Sequence, residues 1–98
     1  MYIIYGYANL FLPYCSSLKE KRKLINSLIS RIRKRFNISI SEVGGHELWQ
    51  RSSIGFSAVS YNNSDLEVFL NAIRETLDLY PSDIEVTSVD YDIITKKI

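Results

Sequence analysis

The chain has 98 residues, 46% hydrophobic and 23% charged, with a formal net charge of +1, a composition that fits one folded domain and excludes a disordered tail. No apolar run approaches the ~20 residues of a membrane span, and the N-terminus lacks the basic start and small-residue cleavage site of a secretion signal. Cys15 is the only cysteine, so no intramolecular disulfide can form, and the expectation is a cytoplasmic chain with no membrane partner.

Tyr2 to Leu12 is rich in aromatic and branched residues and reads as a strand. One parity holds Ile3, Tyr5, Tyr7, Asn9 and Phe11; the other holds Gly6 and Ala8, small enough for a helix to pack closely. Pro13 ends the strand because it cannot donate to a ladder. Ser17 followed by Glu20 fits a capping box, in which each side chain accepts from an orphan backbone N–H.

A helix follows from about Leu18 to Phe36, with Leu18, Ile25, Leu28, Ile29, Ile32 and Phe36 at helical spacing. Eight of the twelve basic residues fall between Lys19 and Arg35: Lys19, Lys21, Arg22, Lys23, Arg31, Arg33, Lys34 and Arg35. The expectation is an amphipathic helix with one apolar face and one strongly cationic face.

Ile38 to Val43 alternates as a short strand, broken by Gly44 and Gly45. Arg51 to Tyr61 reads as a third strand, with Ile54, Phe56 and Ala58 on one face. Asn62 and Asn63 mark a turn, and Ser64 with Glu67 repeats the capping-box spacing. A second helix covers about Asp65 to Tyr80, with Leu66, Phe69, Leu70, Ile73, Leu77 and Tyr80 at its apolar period. Ile84 to Thr95 is a last strand, with Ile84 and Val86 on one parity and Val89, Tyr91 and Ile93 on the other.

The order β-α-β-β-α-β predicts an α+β, ferredoxin-like sandwich of one domain. Right-handed crossovers place both helices on one face of a four-stranded antiparallel sheet. The other face is then open, and if Gly6 and Ala8 face the helices, Tyr5, Tyr7 and Phe11 lie on it. Three aromatics on an open face call for a partner, and a homodimer through that face is the expected one.

The charge is polarised along the chain. Residues 1–51 carry nine basic and three acidic side chains, whereas residues 52–98 carry three basic and eight acidic ones. Such a split suggests contact with nucleic acid or an acidic partner. It also permits two halves that neutralise each other in one fold or across a dimer. The isoelectric point near 7.8 lies below the ~9 of a dedicated nucleic-acid-binding domain. Like charges at i,i+4, such as Lys19/Lys23 and Arg31/Arg35, cost a few tenths of a kcal/mol each, which a phosphate partner would offset. Lys19, Arg22, Lys23, Arg31, Arg33, Lys34 and Arg35 are therefore the candidate phosphate contacts.

Two groups of segments resemble a known family. Leu12-Pro13 with Ser17-Leu18-Lys19-Glu20-Lys21-Arg22 is the first. Arg35-Phe36-Asn37-Ile38-Ser39, Glu42-Val43, Leu48-Trp49-Gln50-Arg51 and Ile54-Gly55-Phe56 make up the second. At this spacing they resemble the YlxP-like family of small bacterial proteins, a domain family of unknown function. The resemblance implies a ferredoxin-like fold and no established activity. Genes of such proteins often lie near those of transcription, translation-initiation and ribosome-maturation factors, which implies RNA or a ribosomal subunit as a partner by association. Members commonly carry Asp-His-Gln-Asp before the Leu-Trp-Gln-Arg block, where this chain has Gly44-Gly45-His46-Glu47. One carboxylate is lost and the histidine is displaced, which weakens any acid-base or metal role for that loop.

The remaining candidates are weaker. Trp49 and Arg51 suit stacking on a base and pairing with phosphate; equally, Trp49 would cap the core edge while Arg51 pairs with Glu42 across the hairpin. His46 and Glu47 fall short of the three or four ligands a metal needs, so no metal, no cofactor and no catalytic group are expected. A place before a helix N-terminus lowers a thiol pKa, but a lone loop cysteine is ordinarily inert, and that is the expectation for Cys15. Residues 13–17 lack the glycines and arginine of the phosphate-cradling loop of acylphosphatases, which disfavours that enzyme. The expectation is a non-catalytic RNA- or ribosome-associated binding protein, with a homodimeric interaction module as the alternative.

Overall fold

The computed structural model describes residues 1–98. Strand β1 (Tyr2–Phe11), helix α1 (Leu18–Arg35), strands β2 (Ser39–Gly44) and β3 (Arg51–Ser60), helix α2 (Ser64–Leu77) and strand β4 (Glu85–Thr95) follow one another in the expected order. The strands form one antiparallel sheet in the order β2-β3-β1-β4. It is the ferredoxin-like βαββαβ arrangement, with α1 and α2 on the same face.

The core lies between sheet and helices. Ile4, Ala8 and Leu10 of β1, Ile40 of β2, and Ile54, Phe56 and Ala58 of β3 meet Ile25, Leu28 and Ile32 of α1 and Leu66, Ile73 and Leu77 of α2. Each fully buried Leu or Ile contributes about 1.5–3 kcal/mol from transfer alone. Gly6 lies on this face beneath β4, where an added Cβ would sit 2.7 Å from Tyr91 Cα. The glycine is there because β4 crosses β1 too closely for a side chain. Tyr5 and Tyr7, on the alternate parity, are 44% and 41% exposed on the open face. Phe11 shares that face, paired in register with Arg51.

The helix starts differ from the expected capping boxes. Ser17 Oγ accepts from the Glu20 backbone N–H at 3.1 Å, but the return bond shifts by one residue. Glu20 accepts from the backbone N–H of Ser16 at 2.9 Å and from its hydroxyl at 3.1 Å. At α2 the box is absent. Ser64 is the first helical residue, the N-cap Asn63 makes no side-chain bond, and Asn62 Oδ1 instead accepts from the Ser64 N–H at 3.2 Å. An Asx turn has taken the place of the predicted Ser cap, since Asn62 can fold back on the backbone two residues on.

The last strand also departs from simple alternation. The register between β1 and β4 shifts at Asn9/Leu10, so Ser88 opposes Asn9 and Val86 opposes Leu10, leaving Thr87 as an extra residue. This β-bulge places Val86 on the same face as Val89, Tyr91 and Ile93, although their sequence parities differ. No helix is long and apolar enough to cross a membrane.

Candidate nucleic-acid interface

Helix α1 separates its basic residues into four environments. At 3.6 residues per turn, Lys19, Lys23 and Lys34 fall within about 60° of one another around the axis, and the row runs about 22 Å along it. All three are exposed, and none forms an ion pair. The one acidic residue of the helix, Glu20, is turned back onto Ser16. Those hydrogen bonds, first the one from the backbone N–H, hold its carboxyl below the usual carboxylate range. No acid on the helix itself forms an ion pair with the row.

Arg22 and Arg33 flank the row on the side of β2. With Asn26 and Ser41 they line a cleft of about 230 Å³ between α1 and that strand. Arg33 is anchored there, donating from Nη2 to the Ile40 carbonyl at 2.7 Å. Arg31 and Arg35 flank the row on the other side. Arg31 lies over the Tyr80 ring at 5.5 Å, and Arg35 pairs with Glu75 at 3.0 Å. The candidate contacts on α1 thus share one helix, but only Lys19, Arg22, Lys23 and Lys34 make no side-chain hydrogen bond, ion pair or cation–π contact.

Lys21 does not belong to the cationic face. It is 1% exposed and runs inward, donating from Nζ to the Gly45 carbonyl at 2.5 Å and the Arg51 carbonyl at 3.2 Å, and pairing with Glu42 at 3.2 Å. Glu42 also accepts from the Ser52 hydroxyl at 2.5 Å. Sequence reasoning counted Lys21 among the outward charges, yet Lys21, Ile25, Leu28 and Ile32 follow the i, i+4, i+7, i+11 spacing of the core face. That spacing was the available signal. The ammonium is tolerated inside because two carbonyls and one carboxylate satisfy it.

Two further expectations are corrected. Arg51 does not pair with Glu42. In the β1–β3 register Arg51 opposes Phe11 and points to the open face, 4.4 Å above that ring, whereas Glu42 opposes Ile54 on the helix side. Trp49 does not cap the core edge; it is 54% exposed in the β2–β3 connection. That connection is held by Gln50, whose Nε2 donates to the Pro13 carbonyl at 3.1 Å, and by the Leu12 N–H donating to the Gln50 carbonyl at 2.9 Å. Trp49 thus sits at the end of the molecule where α1 begins, while Arg51 faces away from the lysine row.

His46 Nε2 is 3.9 Å from Glu42 Oε1. No group of three or more His, Cys, Asp or Glu residues is assembled for a metal. Cys15 is buried, and desolvation foremost, then the charges of Glu20 and Asp83, push its thiol pKa up, opposite to the lowering that a helix N-terminus gives.

The acidic half of the sequence divides between the two faces. Across β1 and β4, Tyr5 opposes Asp92 and Tyr7 opposes Asp90, so these two acids share the open face with the tyrosines, whereas Asp65, Glu67 and Glu75 lie on α2 and Asp78 caps it, in the same layer as α1. The lysine row lies on the far side of the helix layer. A single ion pair, Arg35–Glu75, joins the basic and acidic halves.

Comparison with known proteins agrees with this architecture. A family described as "Protein of unknown function (DUF503)" matches residues 3–91. The uncharacterized protein YlxP of Bacillus subtilis (strain 168) is 41% identical over 65 residues, spanning 66% of this chain and 71% of that protein. Among solved structures, the de novo designed protein Foldit4 superposes with a TM-score of 0.58 at 10% identity, covering 99% of this chain and 100% of that one. A designed ferredoxin-fold protein, LFR1 1, gives 0.52 at 11% identity over 98% and 88%. These structural likenesses concern the fold alone.

Proposed function

This chain belongs to the DUF503 family of proteins of unknown function, and from the lysine row on its first helix we propose that it is a non-catalytic protein that binds the phosphates of structured RNA, ribosomal RNA included. The observation that carries this reading is the row Lys19, Lys23 and Lys34, exposed and free of ion pairs along one side of α1. Arg22 and Arg33 extend it toward β2, and Arg31 and Arg35 extend it toward α2. Trp49, exposed at the end where the row begins, would stack on an unpaired base. Arg51, on the open face, would be a separate contact.

A rod of cations meets a polyanion mainly through released counterions, so binding should be steeply salt-dependent and weakly sequence-specific. The test is cosedimentation with ribosomal subunits and fluorescence anisotropy with a folded RNA hairpin, each over a salt series. With three to five phosphates engaged, log K should fall against log salt with a slope of about −2 to −4. Absence of binding at low salt rejects the reading. Equal competition by a polyglutamate of matched charge would point instead to an acidic protein surface.

A further inference from the structure

The two edges of the sheet are treated very differently. The β2 edge is six residues long. Arg33 closes its Ile40 carbonyl, Lys21 holds its Glu42, and a register shift between Glu42 and Gly44 interrupts it. These are the devices by which proteins blunt an edge against further pairing. The β4 edge has 11 residues, every one exposed. After the bulge at Thr87 it runs without a break, a proline or a covering side chain. Its helix-side stripe, Val86, Val89, Tyr91 and Ile93, is 39–45% exposed. Val86 and Val89 also form one wall of an apolar groove whose other wall is Leu70, Ile73 and Leu77 of α2.

The direction of the backbone along β4 can be read from its end. Met1 and Lys96 exchange both bonds, the Met1 amine donating to the Lys96 carbonyl and the Lys96 N–H to the Met1 carbonyl, each at 2.8 Å. In an antiparallel ladder such reciprocal pairs recur every second residue. Ile94, Asp92 and Asp90 therefore bond to β1, and Val89, Tyr91, Ile93 and Thr95 direct their N–H and C=O groups outward, unpaired.

We propose that this edge joins a second copy of the chain, β4 against β4 in antiparallel register about Ile93–Ile94, giving one continuous eight-stranded sheet. Only the outward set can form reciprocal pairs, so opposed residues come from the same face and both helix layers lie on one side. Charge then selects the register. A two-fold axis at Asp90, Tyr91 or Asp92 sets carboxylate directly against carboxylate, and farther toward the N-terminus the bulge interrupts the ladder. An axis at Ile93 or Ile94 instead brings Lys96 of each copy across from the Asp90/Asp92 pair of the other, one directly and one diagonally. In both of these registers the strand is complementary to itself. A copy stacked on the open face would instead bury Asp90 and Asp92 beside Tyr7 and Tyr5, at a desolvation cost for each carboxylate. The proposal is independent of the phosphate-binding reading, which uses the opposite side of the helix layer.

Sedimentation equilibrium of the full chain tests it. Wild type should sediment at twice the monomer mass. Ile93→Pro removes an outward N–H and leaves the bonds to β1 in place, so it should sediment as a monomer with its melting transition retained. Lys96→Asp should weaken association by about tenfold, since it turns two attractive cross-strand contacts into repulsive ones. Adding Asp90→Lys and Asp92→Lys in the same chain should restore it. Tyr7→Glu, on the open face, should leave the dimer intact. A monomeric wild type overturns the proposal. So does a dimer that survives Ile93→Pro and is lost in Tyr7→Glu, which would place the second copy on the sheet face.

Discussion

The Lys21 ammonium lies 3.2 Å from a Glu42 carboxylate oxygen, with the lysine 1% exposed. Through this pair the first turn of α1 is fixed to the edge strand β2, and through the Gly45 and Arg51 carbonyls it is fixed to the base of the β2–β3 connection. The ion pair is thus an assembly joint between two elements.

Replacing Lys21 tests this joint. Lys21→Met leaves Glu42 without its cation and two carbonyls without their donor, and should cost about 3 kcal/mol in urea denaturation. Binding to an RNA hairpin, measured where the variant is folded, should keep its wild-type salt slope. A reduced slope would mean that the ammonium reaches the ligand.

The lysine row should respond in the opposite way. Lys19→Gln, Lys23→Gln and Lys34→Gln should each reduce the magnitude of the RNA salt slope by about 1. The melting temperature of the first two should hold or rise slightly, because an i,i+4 repulsion worth a few tenths of a kcal/mol is removed. Anisotropy titrations and thermal denaturation read the two effects separately.

Gly6→Ala should open the junction between β1 and β4. The new Cβ meets backbone, the Asp90 carbonyl and Tyr91 Cα, which cannot rotate away. A loss of about 2–3 kcal/mol is expected, in the range of overpacking in a filled core. Amide exchange should speed up first in β4, whose residues are already exposed.

Acid should loosen the start of α1. The Glu20 carboxyl, bonded to Ser16, titrates below its ordinary value of 4.5. A depressed folded pKa contributes stability that is present above the unfolded value and is lost as pH falls through the folded one. Thermal melts taken from neutral pH to below pH 4.5 should therefore show wild type losing stability on acidification relative to Glu20→Gln. Parallel curves would show that the Ser16 bonds carry no such linkage.

Much of this structure is legible in the order of residues. The 3.6 period of Ile25, Leu28 and Ile32 and of Leu66, Ile73 and Leu77, with the alternation around Gly6 and Ala8, fixes helices, strands and the covered face of β1. Parity with apolar neighbours also separates Arg51 from Glu42: Glu42 shares the covered face with Ile40 within β2, and Arg51 lies on the face opposite to Ile54 and Phe56 within β3. The burial of Lys21 is signalled by its phase with Ile25, a signal that its charge masks. The position of Trp49 was beyond reach, because a loop side chain is placed by what its loop is tied to.

By itself the sequence determined the βαββαβ order, the two tyrosines on the open face and the concentration of cations on α1, because these depend on periodicity and short-range connection. Only the tertiary structure decided which cations remain free. Arg33 and Arg35 are taken up by groups 7 and 40 residues away. Likewise, the bulge that unites Val86 with Val89 exists only in the pairing with β1, where Thr87 has no counterpart. Side-chain partners and strand register are relations between distant segments, and no local period carries them.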